Sequence, residues 1–458
     1  MSAALPPLNS TPISAETRLA YVLRHFQQAY EPMPTVSIGY EETDAIQLPR
    51  GDLGFFDGQR PYPPTPTQRE WRNRQMPFFF DHLPGEPLLT LLEGKSYVGV
   101  DLISAAFYLL SGWQEYFSEE RDQHGRFPFS ASIQRRYGFV ETPIVNYYFD
   151  ILKTAVEHVT GQPLQTRRWA NGAAWAAFIT HDVDNLYSAW KAPAKAALRQ
   201  GKLLSFCKQM WRHITQPDAW DNLTQVQQEV AAYGAKSTFF FLPEHRKAAN
   251  GTPNADYRFA ELQTQVQGLS AQGAEVGLHG SIGTSANLPW LQREQAVINK
   301  SPAPAPGLRF HYLSWEPRQT PGLVQAAAFA YDTTLGFAEH FGFRHSYCLP
   351  FQPFDFATGR ACNFLEIPLN VMDATLYHPR YLQLEPSEIM SALTPMLQEI
   401  EQFRGVCTVL WHNENFDPAN KHNGPQQFQE LMEYLRSHNA AFVVGSDILT
   451  AMHAQQGK

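Results

Sequence analysis

From residue 173 onward, short apolar runs alternate with stretches whose apolar residues recur every three or four positions. The runs predict buried strands at 173–179, 237–242, 275–278, 307–310, 406–411 and 441–444. Between them, Leu223, Val226 and Val230 fall on one helix face, as do Phe259, Leu262, Val266 and Leu269, and later Ile389, Leu393, Leu397 and Ile400. Further helices are expected near 322–329 and 428–436. Gly234, Gly273 and Gly405 stop three of the helices just before the next strand. This alternation predicts parallel βαβ units, hence an α/β fold that is either a barrel or a large open sheet.

The first 165 residues have a different texture. Leu5-Pro6-Pro7 and Tyr62-Pro63-Pro64 mark irregular segments, and one amphipathic helix is expected over 16–30. A stronger helix is expected over 102–117, carried by Ile103, Ala106, Phe107, Leu110 and Trp113, with Asp101 placed to cap it. The charged loop 121–127 follows, read as an Asp–Arg network with anion binding as the alternative, and a helix over 143–159 ends near Gly161-Gln162-Pro163. Two units are therefore expected: a smaller mixed α/β N-terminal domain over 1–165, of unknown role, and an α/β domain over 170–458 interrupted by a proline-rich linker at 301–306.

Composition narrows the class. With 43% hydrophobic and 13% aromatic residues, the 458-residue chain has ample material for a large core. Its net charge of −8 comes without a basic block suited to a phosphate backbone, so nucleic acid is not an expected partner. No run is long enough to span a membrane, and residues 1–17 lack the basic and apolar regions of a signal peptide; a cytoplasmic location is expected. Cys207, Cys348, Cys362 and Cys407 lack CxxC spacing, which suits reduced thiols.

The candidate chemistry lies at the strand ends. Asp182 and Asp184, His279, Arg309 and His311, and His412 all fall at or just past the carboxyl end of an expected strand, where α/β folds place their ligands. Two carboxylates, imidazoles and an arginine at one mouth suit metal-assisted hydrolysis. One carboxylate and neutral imidazoles can hold Zn²⁺ or a similar divalent ion. The other carboxylate can take a proton from water with Arg309 orienting it, and a protonated histidine can serve the leaving group. Helix capping by Asp184 is the structural alternative.

The motifs Thr180-His181-Asp182-Val183-Asp184, Ser237-Thr238-Phe239-Phe240, Gly277-Leu278-His279-Gly280-Ser281, Arg309 with its aromatic neighbours, and Leu410-Trp411-His412 resemble those of the polysaccharide deacetylases of the NodB-homology, carbohydrate esterase 4 type. The likeness spans about residues 173–450, and residues 1–170 resemble an N-terminal domain found before such domains in an uncharacterised bacterial subgroup. The resemblance implies a distorted (β/α) barrel of about seven strands and metal-dependent removal of acetyl groups from an amino sugar or glycan precursor. It also implies Asp182 as general base, Asp184 and His279 as metal ligands, Arg309 as the tether of the base, and His412 as general acid. Asp373 is either the partner of His412 or a loop cap. Where the family has a second metal histidine, this chain has Gly283. Three alternatives follow: His311 supplies the ligand, Ser281 or Thr284 completes a weaker site, or the domain is a metal-free C–N hydrolase or a non-catalytic carbohydrate-binding module. Ser281, Arg344 and Asn413 are candidate substrate contacts; oligomeric state is left open by the sequence.

Overall fold

The computed structural model describes residues 7–8, 12–166, 169–249, 251–301, 304–420 and 424–453. Most of the N-terminal stretch 1–11, and residues 302 and 303 of the expected linker, lie outside the described residues.

Among the described residues, nine strands form one parallel sheet. In chain order they are β1 (Ala176–Val183), β2 (Thr238–Phe241), β3 (Glu275–Gly280), β4 (Pro304–Phe310), β5 (Tyr331–Asp332), β6 (Leu365–Glu366), β7 (Val371–Met372), β8 (Val406–Leu410) and β9 (Ala441–Val443). Their spatial order is β6-β5-β4-β3-β2-β1-β8-β7, with β9 also beside β1. All eight residues of β1 are buried, as its apolar run requires. β8 lies along one edge of β1, while β9 pairs with Ala176–Phe178 and β2 with Thr180–Val183 along the other. Helices such as Leu223–Ala231, Leu288–Ile298 and Ile389–Gln402 connect the strands, each turning its apolar stripe to the sheet.

The end strands β6 and β7 are separated by only four residues, 367–370. Ile367 still donates its N–H to Asp332 beyond β6, and Asn370 donates to Thr408 before β7. Both edges of the sheet are thus drawn to one stretch of chain, and the sheet curls. The sheet has nine strands rather than about seven because that stretch pairs in two short pieces and Ala441–Val443 adds a partner for the first half of β1. Several boundaries also differ from expectation: β1 begins at Ala176 and β3 runs on to Gly280. β1 continues to Val183, making Thr180-His181-Asp182-Val183 strand residues, and β4 begins at Pro304, inside the expected linker.

Residues 12–166 combine helices Ala15–Ala29, Leu102–Leu110, Trp113–Phe117 and Ile144–Thr160 with a four-stranded sheet and the hairpin Thr67–Trp71/Arg74–Phe78. The single helix expected over 102–117 is broken at Gly112, which has φ +70° and whose missing Cβ would stand 2.9 Å from the His345 ring. One apolar core runs through both halves of the chain, with Tyr21 against Phe354 at 5.1 Å and Phe149 against Tyr347 at 5.7 Å between ring centroids. Buried polar links cross the same boundary: Arg344 with Glu115 at 2.5 Å, and the Tyr147 hydroxyl donating to Glu399 at 2.9 Å. Among the described residues, no helix is long and apolar enough to cross a membrane.

Candidate active site

Side chains alternate faces along a strand, so Thr180 and Asp182 share one side of β1 while His181 takes the other. Arg309, from β4, reaches across to that first side. Its Nη1 donates to Thr180 Oγ1 at 2.8 Å and to Asp182 Oδ1 at 3.0 Å, its Nε donates to the Thr333 carbonyl at 2.9 Å, and its guanidinium lies over the Phe240 ring. Arg309 is completely buried, and a buried cation in this setting requires the carboxylate it holds. His181 faces away, with Nδ1 donating to the Trp411 carbonyl at 2.7 Å, and burial depresses its imidazolium to about pH 4.

The parallel pairing of β3 with β4 sets His279 beside Arg309. His279 Nδ1 donates to the Arg309 carbonyl at 2.8 Å, which leaves Nε2 directed at Asp182 Oδ2 (3.5 Å) and Asp184 Oδ1 (3.4 Å). His311 follows β4 and brings its Nε2 to 3.4 Å from Asp184 Oδ2. One donor atom from each of Asp184, His279 and His311 lies within 4.8 Å of the other two. An ion with tetrahedral ligands at about 2.1 Å needs donors roughly 3.4 Å apart, and Asp184 Oδ1 is buried without a hydrogen-bond partner, so this donor set fits a divalent cation. Burial alone would raise the Asp184 carboxyl, but His311 and His279 hold it well below the usual carboxylate range.

His412 stands just past β8, its Nε2 3.9 Å from Asp184 Oδ2. Asp373 is fully buried; its Oδ1 accepts from His412 Nδ1 at 2.7 Å and its Oδ2 from the His412 backbone N–H at 2.6 Å. Burial by itself would lower the imidazolium, yet the Asp373 carboxylate raises it to about pH 10. These groups open onto a pocket of about 200 Å³ whose other walls include Tyr312, Leu313, Met372, His378, Tyr381 and Leu410.

Residues 12–166 reach this pocket through Arg126. In the charged loop, Arg126 pairs with Asp122 at 2.6 Å, and its Nη1 donates to the Tyr312 carbonyl at 2.8 Å, while His124 stacks on the Tyr312 ring at 4.7 Å. Tyr312 and Leu313 both have left-handed backbones, with φ of 58° and 53°, so this clamp holds a strained turn directly after His311.

The three candidate substrate contacts are not brought to the pocket. Arg344 is buried against Glu115. Asn413 is fully buried and donates to the carbonyls of Asn185 (3.0 Å) and Trp220 (2.9 Å). Ser281 is 1% exposed, and its backbone N–H is held by Glu294. Thr284 is spent on the Ser281 carbonyl, and Gly283 sits at φ +94°, so His311 is the residue that stands with Asp184 and His279.

Sequence patterning missed the pocket walls Tyr312, Met372 and Tyr381, which share no motif. It also missed a buried carboxyl pair across β5 and β6, Asp332 and Glu366. Burial pushes Asp332 up to about pH 6, and burial together with Asp332 pushes Glu366 well above its ordinary range.

A family of unknown function, DUF7033, matches residues 13–161. No curated protein matches the chain. Among solved structures it is similar to a candidate polysaccharide deacetylase from Mycobacterium smegmatis, with 14% identity, TM-score 0.43, and 63% of this chain and 93% of that one covered. The PuuE allantoinase gives 14% identity and TM-score 0.41 over 63% of this chain and 94% of that one. A polysaccharide deacetylase from Bacillus cereus gives 12% identity and TM-score 0.30 over 59% and 91%.

Proposed function

We propose that the chain is a metal-dependent hydrolase that removes an acetyl-type group from the nitrogen of an amino sugar or glycan precursor. The observation that carries this is the convergence, on one pocket, of a cation-ready Asp184–His279–His311 set, a carboxylate tethered by Arg309, and a histidine kept protonated by Asp373. Asp184, His279 and His311 would hold the ion, with Zn²⁺ best suited to one carboxylate and two imidazoles. Such an ion polarises the substrate carbonyl and makes a bound water more acidic.

The remaining work falls to the protein. Arg309 occupies Asp182 Oδ1, which leaves Oδ2, facing His279, to accept the proton of the attacking water. The water oxygen bonds to the acyl carbon as the C–N bond breaks. His412, whose Nδ1 is committed to Asp373, donates its Nε2 proton to the departing nitrogen, so acetate and a free amine leave. The apolar and aromatic walls from Tyr312, Leu313, Met372, Tyr381 and Leu410 suit an acyl methyl and the face of a sugar ring. Residues 170–458 carry the chemistry in this scheme, and residues 1–165 serve as the unit that buttresses the turn after His311.

Incubation of the purified, metal-loaded chain with N-acetylated amino sugars and their oligomers, with acetate measured enzymatically, tests the proposal. Release of acetate that stops with a chelator and returns with Zn²⁺ is expected. A chain that holds no stoichiometric divalent ion and releases no acetate is instead a carbohydrate-binding module or a metal-free hydrolase.

A further inference from the structure

The connection from Asp184 back to the outer helix Leu223–Ala231 contains a helical hairpin, Lys191–Arg199 and Leu203–Thr215, that buries only Ala194 and Ala197, neither of them part of the main apolar core. Not one residue of the second helix is buried. Leu203, Leu204, Trp211 and Ile214 are 65%, 89%, 69% and 74% exposed, and Cys207 between them is exposed as well. At 100° per residue these five fall within one arc of the helix, so they form a continuous apolar stripe about 17 Å long. Lys208 and Arg212 lie beyond its Leu204–Trp211 edge, both on the same side.

The charge of the segment is as uneven as its hydropathy. Residues 185–217 carry Lys191, Lys195, Arg199, Lys202, Lys208 and Arg212 and no Asp or Glu, in a chain whose net charge is −8. The hairpin is also firmly rooted. Asp256 accepts from the backbone N–H groups of Leu186 and Tyr187 and from the Ser188 hydroxyl, Trp190 stacks on His213 at 4.3 Å between the two helices, and the returning Trp220 carbonyl accepts from Asn413, next to His412. The base of the connection therefore stands at the carboxyl end of the sheet, held through Asn185 and Trp220 by the residue after His412.

We infer that this hairpin docks the protein on the surface of an anionic phospholipid bilayer. An apolar stripe with an interfacial tryptophan, lysine and arginine along one edge, and four more cations on the partner helix and turn is the pattern of a hairpin lying in the headgroup plane, where the cations meet lipid phosphates and the apolar side chains enter the acyl boundary. A second copy of the chain fits poorly, since two such faces would oppose six cations with six and offer no carboxylate to either. Nucleic acid would satisfy the cations and leave the leucines, isoleucine and tryptophan in water.

Vesicle flotation of the full chain tests this without any activity assay. Binding to vesicles of phosphatidylcholine with phosphatidylglycerol is expected, with little binding to phosphatidylcholine alone and release by added salt. The exposed substitutions Leu204→Ser/Trp211→Ser, and separately Lys208→Glu/Arg212→Glu, should each weaken vesicle binding at least tenfold, while Asp182→Asn should float like the parent. An environment-sensitive fluorophore on Cys207, the exposed one of the four cysteines, should shift to the blue with the anionic vesicles. Absence of flotation at low salt, or flotation unchanged in both double variants, overturns the inference. So does a self-association that Trp211→Ser abolishes in a chain that never floats, or binding of an oligonucleotide without binding of vesicles.

Discussion

Asp373 Oδ1 lies 2.7 Å from His412 Nδ1, and the same carboxylate holds the His412 backbone N–H, so one buried side chain fixes both the charge and the position of the imidazole. Asp373→Asn keeps the shape and removes the charge. The alkaline limb of the pH–rate profile, which marks loss of the acid's proton, should move down from the region of pH 10, with a loss in rate on the order of 10²-fold. The stability link has the same sign. Because the folded value stands above that of an unfolded histidine, about 6.5, the contribution is complete below that value and is lost as pH rises through about 10. Urea midpoints across this range should fall in the parent and stay flatter in the variant.

His311→Ala removes one of the three candidate cation donors and leaves the sheet intact. Divalent-ion affinity, measured by competition with a chromogenic chelator, should drop by at least about 100-fold, more than is typical for residues that only orient a ligand. Affinity equal to the parent's would take His311 out of the site.

Arg309→Met strands Asp182, which is 2% exposed, without the cation that faces it. A loss of about 3–5 kcal/mol is expected in urea unfolding, along with loss of turnover. Thr180→Val, which deletes one acceptor of the guanidinium and the hydroxyl's own bond to the Val409 carbonyl, should cost about 1–3 kcal/mol.

Glu115 and Arg344 tie the two halves of the chain together with both side chains at most 2% exposed. Either single replacement, Glu115→Leu or Arg344→Met, should destabilise by about 3–5 kcal/mol. The double variant should recover much of that, and the coupling is read directly from a double-mutant cycle.

Asp332 and Glu366 are both fully buried in the sheet, so they cannot both ionise cheaply, and both are shifted upward. Glu366→Gln mimics the protonated partner, so stability near neutral pH should change by no more than about 1 kcal/mol. Glu366→Asp/Asp332→Glu, which keeps both carboxyl groups but alters their reach, should be the more damaging pair.

Much of the site was legible because parallel strands bring their carboxyl ends together, so Asp182, Asp184, His279, Arg309, His311 and His412 could be grouped before any coordinates. What failed to show depends on side chains meeting across the chain. Arg344 reads as a free loop cation until Glu115, 229 residues away, is seen against it. Arg126 reads as one end of a local ion pair until its second bond to Tyr312 places it on the pocket wall. The hairpin at 191–215 has a plain helical pattern, but the alternation of buried strands and helices gives no place to a helix that buries nothing.

The stretch 365–372 is a clasp whose length is counted in residues. Glu366 is fixed on one edge of the sheet and Asp373 is fixed beside His412 on the other, so the number of residues between them sets how far the ring can open. One residue added within 367–370 would have to be absorbed as a bulge, or else turn Val371 outward and carry Asp373 away from its histidine. Insertions of that kind should therefore be harder on the Asp373–His412 contact than on folding, which makes this clasp a place where the proposed proton delivery can be lost while the curled sheet survives.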